Sequence, residues 1–474
     1  MNDLVSMETL RLAVSAAADL SLWYLGATSA GYGILLLLSL PELWKHWTLS
    51  AAELRSELLT SDALPPITIM APAHNESATI VDSTMSFLGL HYPSYELIIV
   101  NDDSKDDTLE RLIAAFQLYS VPPAVRTVLP TVPVRGYYRS RIHAKLFVID
   151  KENGGKADAL NAALNAARSP YVLAVDADTI LDPDALLRLS RPFSLGEPVA
   201  AVGGALRVAN GCRVENGRVV ETRVHSQWMT GCQSVEYLRA FLFGRLGWNR
   251  VGGNLIISGA FGLFRRDHLM AIGGYRTSTV GEDMDLVIRL RRYLYEHKIP
   301  GLVPFVPDSV AWTEVPSTLK VLGAQRERWQ RGLVGTMVAN STVFLNPRYG
   351  AMGMIAYPWF VFAEMIAPLA EAVGWALLAL ALVIGAADWH VAVAFVATST
   401  ALQALLSLVA ILLEELTFRA YADPRDVWRL CGRAFAEAFG FRQLLIWFRL
   451  KGMWRHLGGE LGWGRMQRVG FRST

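Results

Sequence analysis

The chain has 474 residues, of which 52% are hydrophobic, so it is too long for one small core and too apolar for an ordinary soluble enzyme. Basic and acidic residues nearly cancel, to a formal net charge of +2, which argues against a nucleic acid partner because such a partner requires a strongly basic face. The three cysteines lack the paired spacing of a zinc site or a disulfide framework and are expected to be buried thiols: Cys212, Cys232 and Cys431.

The first predicted element is a transmembrane helix at about residues 20–40, within an N-terminal segment and linker at residues 1–60. Leu20 to Leu40 contains no charged side chain, and 21 residues at helical rise cover the roughly 30 Å of bilayer hydrocarbon. The residues before it carry three acids and only one base, Arg11, and the apolar run is too long for a signal peptide. We therefore expect a retained membrane anchor.

Residues 61–350 alternate short β-rich runs with helical ones, which predicts an α/β domain built on a parallel sheet. The predicted strands are Ile67–Ala71, Leu97–Val100, Leu146–Ile149, Tyr171–Val175 and Val199–Gly203, and the predicted helices are Ser77–Leu90, Asp106–Leu118, Lys156–Ala167 and Pro183–Leu189. Ligands of such sheets bind beyond the carboxyl ends of the strands, so the residues that follow each strand are the candidates for a site.

Three predicted strands end in acidic or polar residues. Glu76 closely follows the first strand, Asp102 the second, and Asp176 and Asp178 the fourth. Two other Asp-x-Asp pairs have simpler explanations. Asp182 precedes a proline and an apolar helix, as a helix N-cap does, and Asp285 lies four residues before Arg289, at ion-pair spacing. Asp176 and Asp178 instead end a buried strand, where their hard oxygen atoms suit Mg²⁺ or Mn²⁺.

Three further segments carry candidate residues. Asn153 to Asn161 places two glycines and Lys156 at a helix start, which favours an anion site but also fits a simple turn with an exposed lysine; its spacing is not that of a P-loop. Asp283 begins an amphipathic helix and is a helix cap or a general base. Gln325, Arg328 and Trp329 share one helical face and together suit sugar hydroxyls, a diphosphate and a pyranose ring.

Residues 351–416 are predicted to return to the membrane. Residues 391–413 form an uncharged run of spanning length, and the longer stretch 351–387 is read as an interfacial entry segment followed by one helix at about 363–387. Glu364 and Glu371 share a helical face there; they either line a passage or sit at a helix interface.

The tail, residues 417–474, carries eleven Lys and Arg against four Asp and Glu, which predicts a cytoplasmic location for the tail and for the α/β domain. Phe441 to Trp454 has the composition of a helix on the membrane surface, and an amphipathic helix packed on the domain is the alternative.

With these residues in view, the chain resembles the membrane-integrated processive glycosyltransferases of family 2, which include hyaluronan, cellulose, chitin and poly-N-acetylglucosamine synthases. The resemblance covers nearly the whole chain, from Leu20 through the tail, and five motifs match in order. The resemblance implies a GT-A fold at the cytoplasmic face of the inner or plasma membrane, a UDP-sugar donor, a glycan acceptor, inverting transfer of N-acetylglucosamine or glucose, and export of a β-linked polymer. It leaves open which sugar is used and whether accessory export subunits exist.

The resemblance also implies a role for each motif residue. Nucleotide-sugar contacts are implied for Glu76, Asp102, Lys156, Asp158 and Asp176, and Asp178 is the implied direct ligand of Mg²⁺ or Mn²⁺, with Asp176 beside it. Asp283 matches the general base of a Thr-Glu-Asp motif. The diphosphate and the acceptor are implied to contact Gln325, Arg328 and Trp329 of a Gln-x-x-Arg-Trp motif, and Ser258 and Gly259 of an acceptor-side turn.

The sequence departs from the family pattern at several positions. Asp103 stands at a usual glycine, Asn101 at an acid, His74 at a tyrosine and Gly281 at a threonine. Two rivals remain: a non-processive transferase that adds one sugar to a lipid carrier, and an inactive membrane scaffold or channel.

Overall fold

The computed structural model describes residues 2–48, 64–123 and 125–459. The expected linker at residues 49–60 and the end of the predicted tail, residues 460–474, lie outside the described residues. The strands are β1 Ile67–Ala73, β2 Tyr95–Asp102, β3 Leu118–Val121, β4 Val134–Ser140, β5 Leu146–Lys151, β6 Tyr171–Val175, β7 Ile180–Leu181, β8 Ala201–Val208, β9 Arg213–Glu215, β10 Arg218–Glu221, β11 Phe261–Arg265 and β12 Phe305–Thr313.

One ten-stranded sheet forms the centre of the domain, with the strand order β3-β4-β5-β2-β1-β6-β11-β8-β12-β7. Its middle, β5-β2-β1-β6, is parallel as predicted. The sheet as a whole is mixed, because β11 runs antiparallel between β6 and β8 and β4 runs antiparallel beside β5. The prediction of a parallel sheet was therefore correct for the centre and wrong for the flanks, whose strands β4 and β11 the sequence pattern did not single out.

The helices surround this sheet and continue into the apolar segments. They are α1 Asn2–Thr48, α2 Ile80–Leu88, α3 Thr108–Phe116, α4 Lys156–Ala166, α5 Ala185–Ser194, α6 Trp228–Leu238, α7 Arg245–Val251, α8 Arg266–Ala271, α9 Glu282–Glu296, α10 Leu319–Ala339, α11 Ala367–Val383, α12 Trp389–Thr417, α13 Pro424–Ala436 and α14 Arg442–Leu457. All four helices predicted in the α/β region are present with shifted boundaries.

Alternation along the central strands divides the core into two layers. Ile67 and Ile69 of β1 face one hydrophobic cluster with α2 and α3, whereas Met70 faces the opposite cluster with α4 and α9. Successive strand residues point to opposite faces, so a sheet covered on both sides needs apolar residues at every position. The Ala-rich helix α4 is almost entirely buried against this sheet. Its small side chains bring Lys156, at its first turn, close to the carboxyl ends of the strands.

Two described helices are long and apolar enough to span a membrane, within Arg11–Trp44 and Ala392–Thr417. A third candidate is a bent pair, Met352–Met365 and Ala367–Val383, with a 45° angle between the two parts. The helix expected at about 363–387 is thus shorter, and the entry segment before it is itself helical, with π-helical turns at Met352–Ala356 and Phe360–Met365. Proline at position 368 cannot donate the backbone hydrogen bond that would continue a straight helix.

The tail helix α14 packs against α10, as the alternative to a purely membrane-bound helix predicted. Gly452 lies against the backbone of Glu327, and the Glu327 carboxylate pairs with Lys451 at 3.0 Å and Arg455 at 2.5 Å. The other face of α14 leaves Trp447 and Trp454 exposed, at 63% and 77% of their surface. The helix therefore combines a packed face with an aromatic face typical of membrane interfaces.

Candidate active site

The Asp-x-Asp segment lies at the carboxyl end of β6, where it meets the first turn of α4. The Nζ atom of Lys156 lies 2.5 Å from an Asp176 carboxylate oxygen and 3.7 Å from Glu282, and it donates a hydrogen bond to the Gly259 carbonyl at 3.3 Å. The structure therefore brings together residues that are more than 100 positions apart in the chain. Lys156 is therefore not an exposed lysine on a simple turn, and an anion site at this helix start stays a prediction.

Electrostatics at this cluster are strongly coupled. Burial acts to lower the pKa of Lys156, but Asp176 and Glu282 outweigh it, so the net shift is upward and the ammonium form is retained. Burial raises the pKa of Glu282, against the lowering effect of Lys156, and the charge of Asp283 raises it further. Glu282, which the sequence interpretation did not select, is thus a buried carboxyl group beside the candidate base. Its position next to Asp283 at the helix start was the signal available.

Asp283 occupies the first turn of α9 with both carboxylate oxygens oriented by backbone amides. The Gly259 amide donates to Oδ2 at 3.2 Å and the Met284 amide donates to Oδ1 at 2.8 Å. A Cβ atom at position 259 would lie 3.0 Å from Lys156 Nζ and 3.4 Å from Asp283 Cβ, so glycine permits this approach. Gly259 therefore joins the two side chains, because its carbonyl accepts from Lys156 and its amide donates to Asp283. The Asp283 carboxylate therefore lies inside the first turn of α9 and not at the N-cap position, and its role as a general base stays a prediction.

Asp178, which lies two residues after Asp176 in the chain, is 1% exposed. No cluster of three or more His, Cys, Asp or Glu side chains suited to a metal ion occurs among the described residues. Two carboxylates are nevertheless sufficient for Mg²⁺ or Mn²⁺ when the substrate's phosphates supply further oxygen ligands, because Mg²⁺ is usually held by one or two carboxylates plus substrate and water. The donor set of Asp176 and Asp178 fits such a shared ion.

Asp102 and Asp158 meet at a lysine that the sequence interpretation missed. Lys151, the last residue of β5, is fully buried and its Nζ lies 2.6 Å from Asp102 and 2.8 Å from Asp158. The Asp102 carboxylate also accepts hydrogen bonds from the amides of Gly154 and Gly155, at 3.0 and 2.8 Å. Both acids thus hold the turn that begins α4, and their contact with a nucleotide stays a prediction. A lysine that ends an apolar strand before two glycines was the available signal.

The residues of the Gln-x-x-Arg-Trp motif lie on α10 but differ in environment. Gln325 is buried, and its Oε1 atom accepts no hydrogen bond from the described part of the chain. Arg328 lies close enough to Glu282 to lower the pKa of that carboxyl group. Trp329 is 43% exposed, and its ring is covered on one face by Arg326, whose guanidinium carbon lies 4.3 Å from the ring centroid. The motif therefore borders the Asp283 cluster, with one face of Trp329 occupied by a neighbouring arginine.

Comparison with known proteins agrees with this arrangement. The family model described as "Glycosyltransferase like family 2" matches residues 65–332, which is more than half of the chain. The chain belongs to this family. The match runs from the first strand of the sheet to the middle of α10 and so includes every site residue described above.

Curated relatives and a solved structure add detail to the family assignment. The chain is 29% identical over 266 residues to poly-beta-1,6-N-acetyl-D-glucosamine synthase of Staphylococcus epidermidis, covering 56% of this chain and 54% of that protein. It is 30% identical over 310 residues to the Staphylococcus aureus (strain COL) protein of the same name, covering 65% and 63%. The chain thus matches somewhat more than half the length of these relatives.

The fold resembles that of the Pyrobaculum calidifontis mannosyltransferase PcManGT, solved in complex with GDP-Man and Mn²⁺. The TM-score is 0.53 at 18% sequence identity, and the match covers 92% of this chain and 99% of that one. This likeness establishes a shared GT-A fold for the glycosyltransferase domain.

Two departures from the family 2 pattern have structural reasons. Asp103, at a usual glycine, has a φ of +58°, a conformation that aspartate tolerates better than most residues. Its carboxylate pairs with Lys105 at 2.7 Å and Arg135 at 2.5 Å, and these hydrogen bonds lower the pKa of Asp103 to about 2. Gly281, at a usual threonine, touches Gly332 of α10: a Cβ atom at 281 would lie 2.9 Å from the Gly332 carbonyl carbon.

The other strand-end residues and Asp-x-Asp pairs have local partners. Glu76 accepts a hydrogen bond from Thr79 at 3.1 Å and lies beside the β1 end as predicted. Asp285 pairs with Arg289 at 2.8 Å, which confirms the predicted ion pair. The prediction of Asp182 as an N-cap was wrong: α5 begins at Ala185, and the Asp182 carboxylate accepts a hydrogen bond from the indole of Trp312 at 3.1 Å.

Proposed function

We propose that the protein is a membrane-bound inverting glycosyltransferase that elongates a β-linked polysaccharide from a UDP-sugar and exports it through the adjacent helices. The supporting observation is the Asp283 carboxylate, oriented by the Gly259 and Met284 amides beside the Lys156–Asp176 pair. A fixed base next to a cationic, acid-rich strand end is the arrangement that glycosyl transfer to a hydroxyl requires. The basic tail supports a cytoplasmic position for the domain.

The proposed reaction is a single displacement. An acceptor hydroxyl oxygen attacks the anomeric carbon of the donor while Asp283 takes the hydroxyl proton, and the bond from that carbon to the phosphate oxygen breaks, so that the nucleoside diphosphate leaves. Attack opposite the leaving group converts an α-linked donor to a β-linked product. Lys156 and Arg328 lie on the side of the cluster where their charges would offset that of the diphosphate.

A divalent ion is part of this proposal. Asp178 and Asp176 would hold Mg²⁺ or Mn²⁺ together with the donor phosphates, and the ion would stabilise the negative charge of the departing diphosphate. The Mn²⁺ bound in the mannosyltransferase of similar fold supports the choice of ion.

N-acetylglucosamine is the proposed sugar, with glucose as the second choice. The two staphylococcal relatives that the chain resembles are synthases of poly-β-1,6-N-acetylglucosamine. Membrane vesicles incubated with labelled UDP-N-acetylglucosamine, UDP-glucose, UDP-glucuronate and GDP-mannose test the choice directly. Incorporation from a donor other than UDP-N-acetylglucosamine, with none from it, would reject this sugar.

The base assignment is tested with Asp283→Asn. We expect transfer to fall by about 10²- to 10⁴-fold, the usual contribution of a general base, while binding of UDP is retained. Asp267→Asn is the matched control, because Asp267 is exposed and pairs only with neighbouring Arg265 at 2.9 Å. Elongation by the Asp283→Asn enzyme at the wild-type rate would show that Asp283 is not the base.

The alternative is a transferase that adds one sugar to a lipid carrier. Helix α14 is joined to α10 by ion pairs, and the bent helix pair is a candidate membrane span. This arrangement favours the processive function, because an enzyme that retains its product between transfers needs an acceptor site next to the membrane helices. Sizing the labelled product separates the two: a ladder of saccharides supports elongation, and a single-sugar lipid adduct contradicts it.

A further inference from the structure

Arg245 is a half-buried arginine to which neither the sequence motifs nor the proposed mechanism assigns a role. It is the first residue of α7, which continues from α6 through a π-helical turn at Arg239–Gly244. Its Nη1 atom is buried without a hydrogen-bond acceptor, and within residues 2–48, 64–123 and 125–459 it forms no ion pair. Its neighbours are aromatic: the guanidinium carbon lies 4.1 Å from the ring centroid of Phe241 and 6.0 Å from that of Phe305.

Such an environment is unusual for a guanidinium group, which carries five hydrogen-bond donors. Burial lowers the pKa of Arg245 to about 10, against the opposing charges of Asp283 and Tyr237. A buried polar group without a partner calls for an explanation, and an oxygen-bearing ligand that arrives during function is one. The π-helical turn beside it is a feature that occurs frequently at functional sites.

The position of α7 places Arg245 next to the candidate base on its membrane side. Gly247 packs against the backbone of Leu35 in the N-terminal apolar helix, where a Cβ atom would lie 2.4 Å from the Leu35 carbonyl oxygen. Trp248 belongs to the same hydrophobic cluster as Leu35 and Met284, the residue after Asp283. Helix α7 thus lies between the Asp283 turn and α1, where an acceptor entering from the membrane helices would pass.

We propose that Arg245 forms a binding subsite for the acceptor saccharide, an inference that rests on the proposed transferase function. The guanidinium group donates hydrogen bonds to hydroxyl or acetamido oxygens, and the buried Phe241 ring supports it from below. A neutral saccharide fits better than a phosphate, because the Asp283 carboxylate near Arg245 would repel a dianion.

The test compares Arg245→Lys and Arg245→Met with wild type in acceptor kinetics. The probe is a β-1,6-linked N-acetylglucosamine pentasaccharide, with UDP-N-acetylglucosamine held at saturation. We expect the acceptor KM to rise about tenfold, which corresponds to about one charge-assisted hydrogen bond, while the donor KM and donor hydrolysis without acceptor stay unchanged. Arg250→Lys is the matched control, because Arg250 lies on the same helix and pairs with Glu42 at 3.3 Å.

Three results would overturn the subsite. An unchanged acceptor KM in the folded Arg245→Lys enzyme contradicts it, and a rise confined to the donor KM assigns Arg245 to the diphosphate instead. An effect that appears only in vesicles with anionic lipid would assign it to a lipid headgroup and would likewise overturn it.

The proposed transferase function and the proposed Arg245 subsite can be tested separately. If wild type transfers no sugar from any donor, the transferase function fails, and calorimetric binding of the pentasaccharide still tests Arg245 directly. Wild-type binding that the Arg245→Lys variant loses supports the subsite, and equal binding by both rejects it. If the Arg245→Met variant does not fold, the Arg245→Lys variant, which keeps the positive charge, provides the test.

Discussion

The ammonium group of Lys156 contacts three oxygen-bearing groups at the strand end. It lies 2.5 Å from the Asp176 carboxylate, 3.7 Å from the Glu282 carboxylate and 3.3 Å from the Gly259 carbonyl oxygen. The amide of Gly259 in turn donates a hydrogen bond to Asp283. Without that cation, the carboxylates would repel one another in a largely buried site. A lysine is therefore required for the acid-rich cluster to form before any substrate binds.

Removal of the divalent ion is expected to abolish transfer. A chelator, or the change Asp178→Asn, should lower the rate at least about 100-fold, since an ion on the diphosphate contributes several kcal/mol to the transition state. Restoration of activity by added Mn²⁺ in wild type, but not in Asp178→Asn, checks the assignment. Asp182→Asn is the control from the competing Asp-x-Asp pair, because its amide oxygen can still accept the Trp312 hydrogen bond. Full activity of Asp178→Asn would remove Asp178 from the metal site.

The buried Lys151 predicts a stability effect. Lys151→Met leaves Asp102 and Asp158 without their shared cation, and breaking a buried ion pair typically costs about 3–5 kcal/mol. The midpoint of thermal unfolding in detergent should fall clearly below that of wild type. Lys105→Met is the control, because Lys105 is exposed and pairs with Asp103 at the surface. Equal midpoints for the two variants would contradict the role of Lys151 in holding the Gly154–Gly155 turn.

At the scale of elements, the first turn of α9 and the middle of α10 cross at two glycines. Cβ atoms at positions 281 and 332 would each lie 2.9–3.0 Å from backbone atoms of the other residue. Thr336 adds a hydrogen bond to the Gly281 carbonyl at 3.4 Å. This crossing is what brings the Gln-x-x-Arg-Trp helix up to Asp283, and it explains why threonine is absent at position 281.

Gly332→Ala tests that crossing. The added methyl group must displace α10 from α9, at a cost of about 1–3 kcal/mol for overpacking, and transfer should fall because Arg328 moves relative to Glu282 and Asp283. Rates of sugar incorporation, together with unfolding midpoints, separate a local from a global effect. Gly335→Ala is the matched control on the same helix, because its Cβ would meet only the flexible side chain of His456 at 3.3 Å. Identical behaviour of the two variants would show that the crossing is not restrictive.

At the scale of the whole molecule, the tail helix α14 connects the enzyme domain to the apolar helices. Glu371 of α11 pairs with Arg442 at 2.7 Å, and Glu364 lies 3.8 Å from Arg449, which also donates to Gln330 of α10 at 2.8 Å. Both acids that the sequence placed within the apolar stretch thus have arginine partners on α14. This arrangement favours the interface role for them over the lining of a passage.

A charge reversal tests this connection. Arg442→Glu or Glu371→Arg alone should destabilise the protein by about 1–2 kcal/mol, less than a fully buried pair because Arg442 is 38% exposed. The double variant should recover most of the unfolding midpoint and the product length on a sizing gel. Arg425→Glu, at the exposed start of α13, is the control for the added negative charge, because the Arg425 side chain forms no ion pair within 4 Å in the described part of the chain. No recovery in the double variant would show that the two side chains act independently.

Much of the domain was predictable from local patterns. The five predicted strands and four predicted helices of the α/β region are present, because buried strands appear in the sequence as apolar runs with turns between them. The antiparallel strands β4 and β11 were not predicted, because β4 carries two arginines and two tyrosines that are exposed or only partly buried, and β11 follows a long helical segment. Asp176, Asp178 and Asp283 were selected from their positions relative to strand and helix ends. Lys151 and Glu282 carried weaker signals, a strand-end lysine before two glycines and an acid next to Asp283, and Arg245 has no distinctive sequence context.

The sequence by itself determined that the chain has segments apolar and long enough to span a membrane, an α/β domain between them and a set of motif residues in a given order, because hydrophobic periodicity and residue chemistry are local properties. Only the tertiary structure decided which charges meet: that Lys156 faces Asp176 and Glu282, that Asp102 and Asp158 share Lys151, and that Gly281 touches Gly332. These contacts join residues far apart in the chain, and their geometry depends on strand order and helix crossing, which the linear sequence does not display.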